Sequence, residues 1–194
     1  MMIGLTGGIG CGKSTAARFF AEAGWRRIDT DELVRNDVLT QPEIVAALAG
    51  RFGPQVLTAA GQMDRAEVGK IVFADEEALR WLEAQVHPRV EALLRERLAE
   101  APTEDHVVEV PLLFEKHLEN WFDFIVCVAT TSHLQIARLA ERGLPKALAE
   151  LRISKQLPLA KKLELADYVL LNDGTPDFLR EQITHLIAQL RERR

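Results

Sequence analysis

Cysteine is almost missing from this 194-residue chain: there are only Cys11 and Cys127. Two thiols make no disulfide framework, and their separation does not match the ligand spacing of a zinc site. Surplus positive charge is missing too. Lys and Arg number 24 against 29 Asp and Glu, a formal charge of −5, which argues against nucleic acid as a partner because phosphate backbones demand an excess of Lys and Arg. No apolar run reaches the ~18 residues of a membrane span, so no membrane partner is expected. The stretch from Met1 to Gly10 carries no basic segment followed by an apolar one, so no secretory signal is read there. Internal repeats and low-complexity segments are lacking as well. These absences leave a soluble protein of a reducing compartment, expected in the cytoplasm.

What is present is a chain of ordinary globular composition, 47% hydrophobic and 27% charged. At ~100–200 residues per domain, its length predicts one domain with a small insertion, burying roughly 70% of its unfolded surface without staples. Five short apolar runs read as strands: Met2–Leu5, Trp25–Ile28, Val107–Val110, Phe124–Ala129 and Tyr168–Leu171. Runs with little polar alternation suit strands covered on both faces, as in a parallel sheet. Helical spacing is read over Ser14–Ala23 (closed by Gly24), Asp31–Leu39, Glu76–Val86, Arg89–Ala99 and Leu134–Arg142. A last helix carries the stripe Leu179, Ile183, Leu186, Ile187 and Leu190 behind a Thr175-Pro176 start. Its basic end, Arg191, Arg193 and Arg194, complements the helix dipole. Alternating strand and helix predict an α/β fold, three layers α/β/α around a five-stranded parallel sheet with right-handed crossovers. About 75 residues separate the second and third strands, far more than one crossover needs. With turn-rich Arg51–Pro54 and Ala59–Gln62, this stretch reads as an inserted helical subdomain.

Gly7-Gly8-Ile9-Gly10-Cys11-Gly12-Lys13-Ser14-Thr15 satisfies the phosphate-loop pattern G-x-x-x-x-G-K-[ST] from Gly7 to Ser14. Glycines let the backbone curl so that successive amides point at phosphate oxygens, and the following helix adds its positive end. Lys13 would bridge the outer phosphates, and the Ser14 hydroxyl would bind magnesium. Coincidence produces such a match in about one random chain of this length in 150, and the strand before and helix after reduce that further. Cys11 occupies a small-residue position as a serine-like spacer.

A phosphate loop alone does not separate kinase, GTPase and motor. A guanine-reading Asn-Lys-x-Asp is missing, since Asn172 is followed by Asp173-Gly174. Asp31, just past strand two in Ile28-Asp29-Thr30-Asp31, is a candidate for taking an acceptor's proton or ordering magnesium, because carboxyl ends of parallel strands line one crevice. Asp29, with Glu32 three residues on, has spacing akin to a capping box. Gln135, Arg138 and Arg142 share one helix face, and with Arg152 and Lys155 they read as a closing lid whose forked guanidinium groups hold phosphate oxygens. Glu109 stands on an apolar strand where many phosphate-loop enzymes carry a magnesium-linked acid. His87-Pro88 reads as the end of one helix and the start of another; His106, His117, His133 and His185 read as structural or surface residues. A nucleoside or nucleotide kinase and a nucleotide-dependent regulatory module both remain open on these residues.

The ordered motifs resemble the dephospho-CoA kinase family over nearly the whole chain. They run from Gly4–Ser14 through Ile28–Asp31 with Arg35, Met63-Asp64-Arg65, Ile71-Val72-Phe73 and Val86-His87-Pro88. Val110–Glu115, Gln135–Leu139 with Arg142, Arg152–Gln156, Ala166-Asp167 and Asn172–Gly174 complete the series. The resemblance implies a P-loop NTPase-like core of residues 1–30, 100–133 and 163–194, a helical acceptor (CoA) subdomain of 31–99 and a lid of 134–162. It further implies ATP-dependent phosphorylation of the ribose 3′-hydroxyl of dephospho-CoA, with Mg2+, by a monomer or small homo-oligomer. The implied catalytic residues are Asp31, Lys13, Arg138 and Arg142. Nucleotide contacts map to Gly8, Gly10, Cys11, Gly12, Lys13, Ser14, Thr15 and Asn172, with Ser14 on the metal. Acceptor contacts map to Asp31, Arg65, His87, Pro111, Leu112 and Glu115. Three positions depart from the pattern: Cys11 where Ser is usual, Glu109 where Asp is frequent, and Glu91 where Arg often stands, with Arg89 nearby as a substitute.

Overall fold

In a computed structural model describing residues 1–193, the five apolar runs form one parallel sheet. Its strands are β1 (Met2–Gly7), β2 (Arg26–Asp29), β3 (His106–Glu109), β4 (Phe124–Ala129) and β5 (Tyr168–Leu171), in the order β2-β3-β1-β4-β5. Leu5 stands beside Glu109 on β3 and Val126 on β4, and Asp29 beside Glu109. The central strand is therefore β1; the chain leaves it toward β2 on one side, while the connection from its neighbour β3 crosses to β4 on the other. In open parallel sheets that arrangement puts a crevice outside the carboxyl end of the central strand.

The helices are α1 (Lys13–Glu22), α2 (Thr30–Leu33), α3 (Pro42–Phe52), α4 (Arg65–Ala74), α5 (Glu76–Ala99), α6 (Ser132–Glu141), α7 (Lys146–Ser154), α8 (Leu159–Leu165) and α9 (Pro176–Glu192). The chain forms two compact units, one of residues 1–29 and 103 onward, the other Thr30–Pro102. The first has its core between sheet and helices. Ile3, Leu5, Val126 and Val128 of the sheet meet Ala16, Ala17 and Phe20 of α1 and Leu179, Ile183 and Leu190 of α9. The Thr175 hydroxyl accepts from the Phe178 amide and caps α9 as its sequence implies. Arg193 sets its guanidinium over the Tyr168 ring; Arg194 lies outside the described residues. The second unit has its own core of Val38, Ile44, Leu48, Val56, Val68, Val72 and Val86. No helix among the described residues is long and apolar enough to cross a membrane.

Two expectations need correction. Glu76–Val86 and Arg89–Ala99 are not separate helices, because α5 runs unbroken through Pro88. Proline removes one backbone donor and crowds the preceding turn, and here the Arg89 Nη1 donates to the Gln85 carbonyl at 2.7 Å within that turn. The neighbouring Val86 and Val90 are both buried, so packing holds the helix across the defect. Asp31–Leu39 is likewise not one α-helix: α2 ends at Leu33 and the chain widens into a π-type turn, Val34–Val38, which turns Val38 into the core.

Candidate active site

The phosphate loop leaves the carboxyl end of β1 and runs into α1. Gly12 takes φ 94°, and a Cβ there would lie 2.1 Å from the Asn172 amide nitrogen, so both backbone and space require glycine. Gly10, at φ 79°, backs onto the Gln135 backbone in the same way. The Cys11 amide donates to the Gly8 carbonyl at 3.2 Å, and the Thr15 and Ala16 amides return to Gly12. By helix geometry the amides opening α1 have no intrahelical acceptor and face outward as an anion site.

The loop's own lysine and side chains from distant segments hold this curl. Lys13 Nζ donates to the Gly7 and Gly8 carbonyls at 3.1 and 3.2 Å, folding across the loop. Asn172 is buried; its Nδ2 donates to the Cys11 carbonyl at 2.8 Å. The Asn172 backbone carbonyl in turn accepts from Arg138 Nη2 at 2.8 Å and from the Thr130 hydroxyl at 3.1 Å. Arg138 also approaches the Gly10 carbonyl at 3.4 Å. Arg138 and Asn172 thus reach the loop itself, whereas Arg142, at the end of α6, is exposed.

Cys11 is fully buried, and its sulfur accepts from Gln135 Nε2 at 3.3 Å. Burial raises its thiol pKa, with Lys13 pulling the other way. Cys127 is pushed up to about 12 by burial and by Cys11 nearby. Both thiols are therefore neutral packing groups in this structure, as a spacer role requires.

The end of β3 supplies a carboxylate. Glu109 is buried, accepts from the Ser14 hydroxyl at 3.0 Å, and pairs with Arg27 Nε at 2.6 Å. Arg27 also reaches Asp29 at 3.1 Å. The Glu109–Arg27 pairing is not readable from spacing, because 82 residues separate partners that only the β2–β3 register brings together.

Of the expected acceptor residues, Glu115 is engaged within the first unit. Its Oε1 lies 2.8 Å from the ammonium of fully buried Lys162 and accepts from the Leu157 amide at 3.0 Å. The Pro111 carbonyl takes a further bond from Lys162 at 3.0 Å, and Leu112 beside it is exposed. Arg65 is exposed at the start of α4, His87 half-buried within α5, and Asp31 exposed on α2, in the second unit. His106 is buried at the start of β3 and held neutral because burial lowers its pKa; His117, His133 and His185 are exposed.

A five-stranded parallel α/β sheet with a glycine-rich loop curled at its central strand defines a phosphate-loop nucleotide-binding fold, and comparison with known proteins narrows the class to kinases. The family model described as dephospho-CoA kinase matches residues 1–177. A dephospho-CoA kinase of Geobacillus kaustophilus is 39% identical over 193 residues, covering 97% of this chain and 96% of the relative. A crystal structure from Thermus thermophilus superposes with a TM-score of 0.86 at 33% identity, covering 98% of this chain and 97% of its own. The dephospho-CoA kinase of Campylobacter jejuni gives a TM-score of 0.72 at 26% identity, covering 97% and 96%. The chain belongs to the dephospho-CoA kinase family.

Proposed function

We propose that this kinase transfers the γ-phosphoryl group of ATP to the ribose 3′-hydroxyl of dephospho-CoA, giving coenzyme A and ADP. The observation that carries the reading is the phosphate loop curled at the carboxyl end of β1, with the Ser14 hydroxyl 3.0 Å from the buried Glu109 carboxylate, in a chain of this family.

Phosphoryl transfer asks the protein chiefly for positioning and charge neutralisation. The amides at the start of α1 and the Lys13 ammonium hold the β- and γ-phosphates, and Lys13 leaves the Gly7 and Gly8 carbonyls to do so. The acceptor oxygen attacks the γ-phosphorus, the bond from that phosphorus to the β-bridging oxygen breaks, and ADP departs. We assign the acceptor's proton to Asp31, two residues past the end of β2. Arg138 steadies the charge on the transferring group, and Arg142 joins it from the lid, residues 134–162. Residues 31–99 carry the acceptor-binding role, with Arg65, His87, Pro111 and Leu112 as contacts; Glu115 acts by fixing Lys162.

Ser14 and Glu109 fit a magnesium ion, which takes few protein oxygens and completes its shell with phosphate and water. Ser14 would hold it, with the Glu109 carboxylate hydrogen-bonded to that hydroxyl. When bound, it offsets the negative charge on the β- and γ-phosphates. We place the enzyme in the cytoplasm, as a monomer or small homo-oligomer.

The test is an ADP-release assay with ATP, magnesium and dephospho-CoA, followed by mass analysis of the product. Acceptor-dependent ADP release with one phosphoryl group gained on the ribose is expected. Turnover with nucleoside monophosphates in its place, or hydrolysis indifferent to acceptor, would overturn the reading.

A further inference from the structure

Ile9 stands at the crest of the phosphate loop, where neither of its backbone polar groups can join a helix or a strand. Both are taken by glutamine side chains. Gln135, buried on α6, donates its Nε2 to the Ile9 carbonyl at 2.8 Å. Gln156, between α7 and α8, accepts from the Ile9 amide through its Oε1 at 3.0 Å. The chemistry of the partners fixes both amide orientations, because a backbone N–H can only donate and a carbonyl only accept. Gln135 is also a steric wall: a Cβ at Gly8 would lie 2.5 Å from its Nε2, and one at Gly10 3.0 Å from its carbonyl oxygen.

We propose that Gln135 and Gln156 are positioning residues that clamp Ile9 by both of its backbone groups, holding the loop in its phosphate-accepting curl before nucleotide arrives. A glycine-rich loop loses much conformational entropy when it orders around phosphate. If the clamp orders it in advance, that cost is removed from nucleotide binding. Neither glutamine touches a reacting atom in this scheme. Their loss weakens ground state and transition state alike, so KM for ATP rises while kcat stays.

The inference rests on the nucleotide-binding reading, and the experiment separates the two. Calorimetric titration of Mg-ADP is run on the native enzyme, Gln156→Met, Gln135→Met and the double variant, beside steady-state kinetics. Each single change is expected to weaken ADP binding about five- to tenfold, the scale of one hydrogen bond. The double variant should fall short of the product of the singles, since a loop freed at one end has less order left to lose. KM for ATP should rise in step, with kcat within about twofold and KM for the acceptor unmoved. Gln156 is only half-buried, so its variant remains informative even if Gln135→Met unfolds. Native-like ADP affinity in Gln156→Met, or a fall in kcat at unchanged KM, overturns the clamp. A native enzyme that binds no ADP sinks the kinase reading and the clamp with it.

Discussion

Lys162 is fully buried, yet its ammonium is met by the Glu115 carboxylate at 2.8 Å and the Pro111 carbonyl at 3.0 Å. Removing one member of such a pair leaves a buried charge with too little compensation, which costs far more than the pair itself contributes. Glu115→Ala should therefore lower stability by about 3–5 kcal/mol, read from urea unfolding. The double change Glu115→Leu with Lys162→Met should recover most of that loss; equal instability in both would show that the charge is not the cause. Asp31 raises a different question, one of chemistry. If it takes the acceptor's proton, Asp31→Asn should cut kcat by at least about a hundredfold, the scale of general-base catalysis, with KM for ATP nearly unchanged. Retention of near-native kcat would remove Asp31 from that role. The thiols yield a third expectation at this scale. With Cys127 pushed up to about 12 and Cys11 also raised by burial, both are protonated at pH 8, below their raised pKa values. Native protein should therefore resist alkylation that the denatured chain accepts at two sites. Rapid labelling without denaturant would contradict the burial of both.

At the scale of elements, the sequence was most legible where one local rule decides. The strand at Phe124–Ala129 and that at Tyr168–Leu171 keep the limits read from their apolar runs, because both are bounded by polar residues and their pattern has no competing period. Helix α9 follows its Thr-Pro start and its apolar stripe for the same reason. The rule failed at Pro88, where a local breaker yields to the packing of Val86 and Val90 around it. It failed again at Val34–Val38, where no sequence signal distinguishes a π-type turn from an α-helical one. The phosphate loop was legible because a single contiguous segment encodes it. How it is held was not: Gln135, Gln156, Asn172 and Glu109 meet it across separations from 95 to 161 residues. Only the placing of β3, β4 and β5 beside β1, with the helices that follow β4, makes those residues neighbours. Gln135 had been readable as a helix-face partner of Arg138, but which loop atoms the two address is a fact of packing.

At the scale of the whole molecule, the first unit carries the entire phosphate loop together with the segments that hold it, so nucleotide binding and acceptor chemistry can fail separately. A ligand that binds only the folded state stabilises it according to its occupancy: at a hundred times its Kd the gain is about 2.7 kcal/mol. For a chain of about this size each kcal/mol raises Tm by about 2–4 °C, so Mg-ADP at that excess should raise Tm by about 5–11 °C. Lys13 lies across the loop that receives the phosphates, and Lys13→Ala should therefore remove most of the ADP-dependent rise and abolish turnover. Asp31→Asn, altered in the other unit, should keep the rise in full while losing turnover. Scanning fluorimetry of the three proteins with and without Mg-ADP reads this directly. A Tm rise lost in both variants would mean that Asp31 serves nucleotide binding rather than proton transfer, whereas a rise retained in Lys13→Ala would place the phosphates somewhere other than this loop.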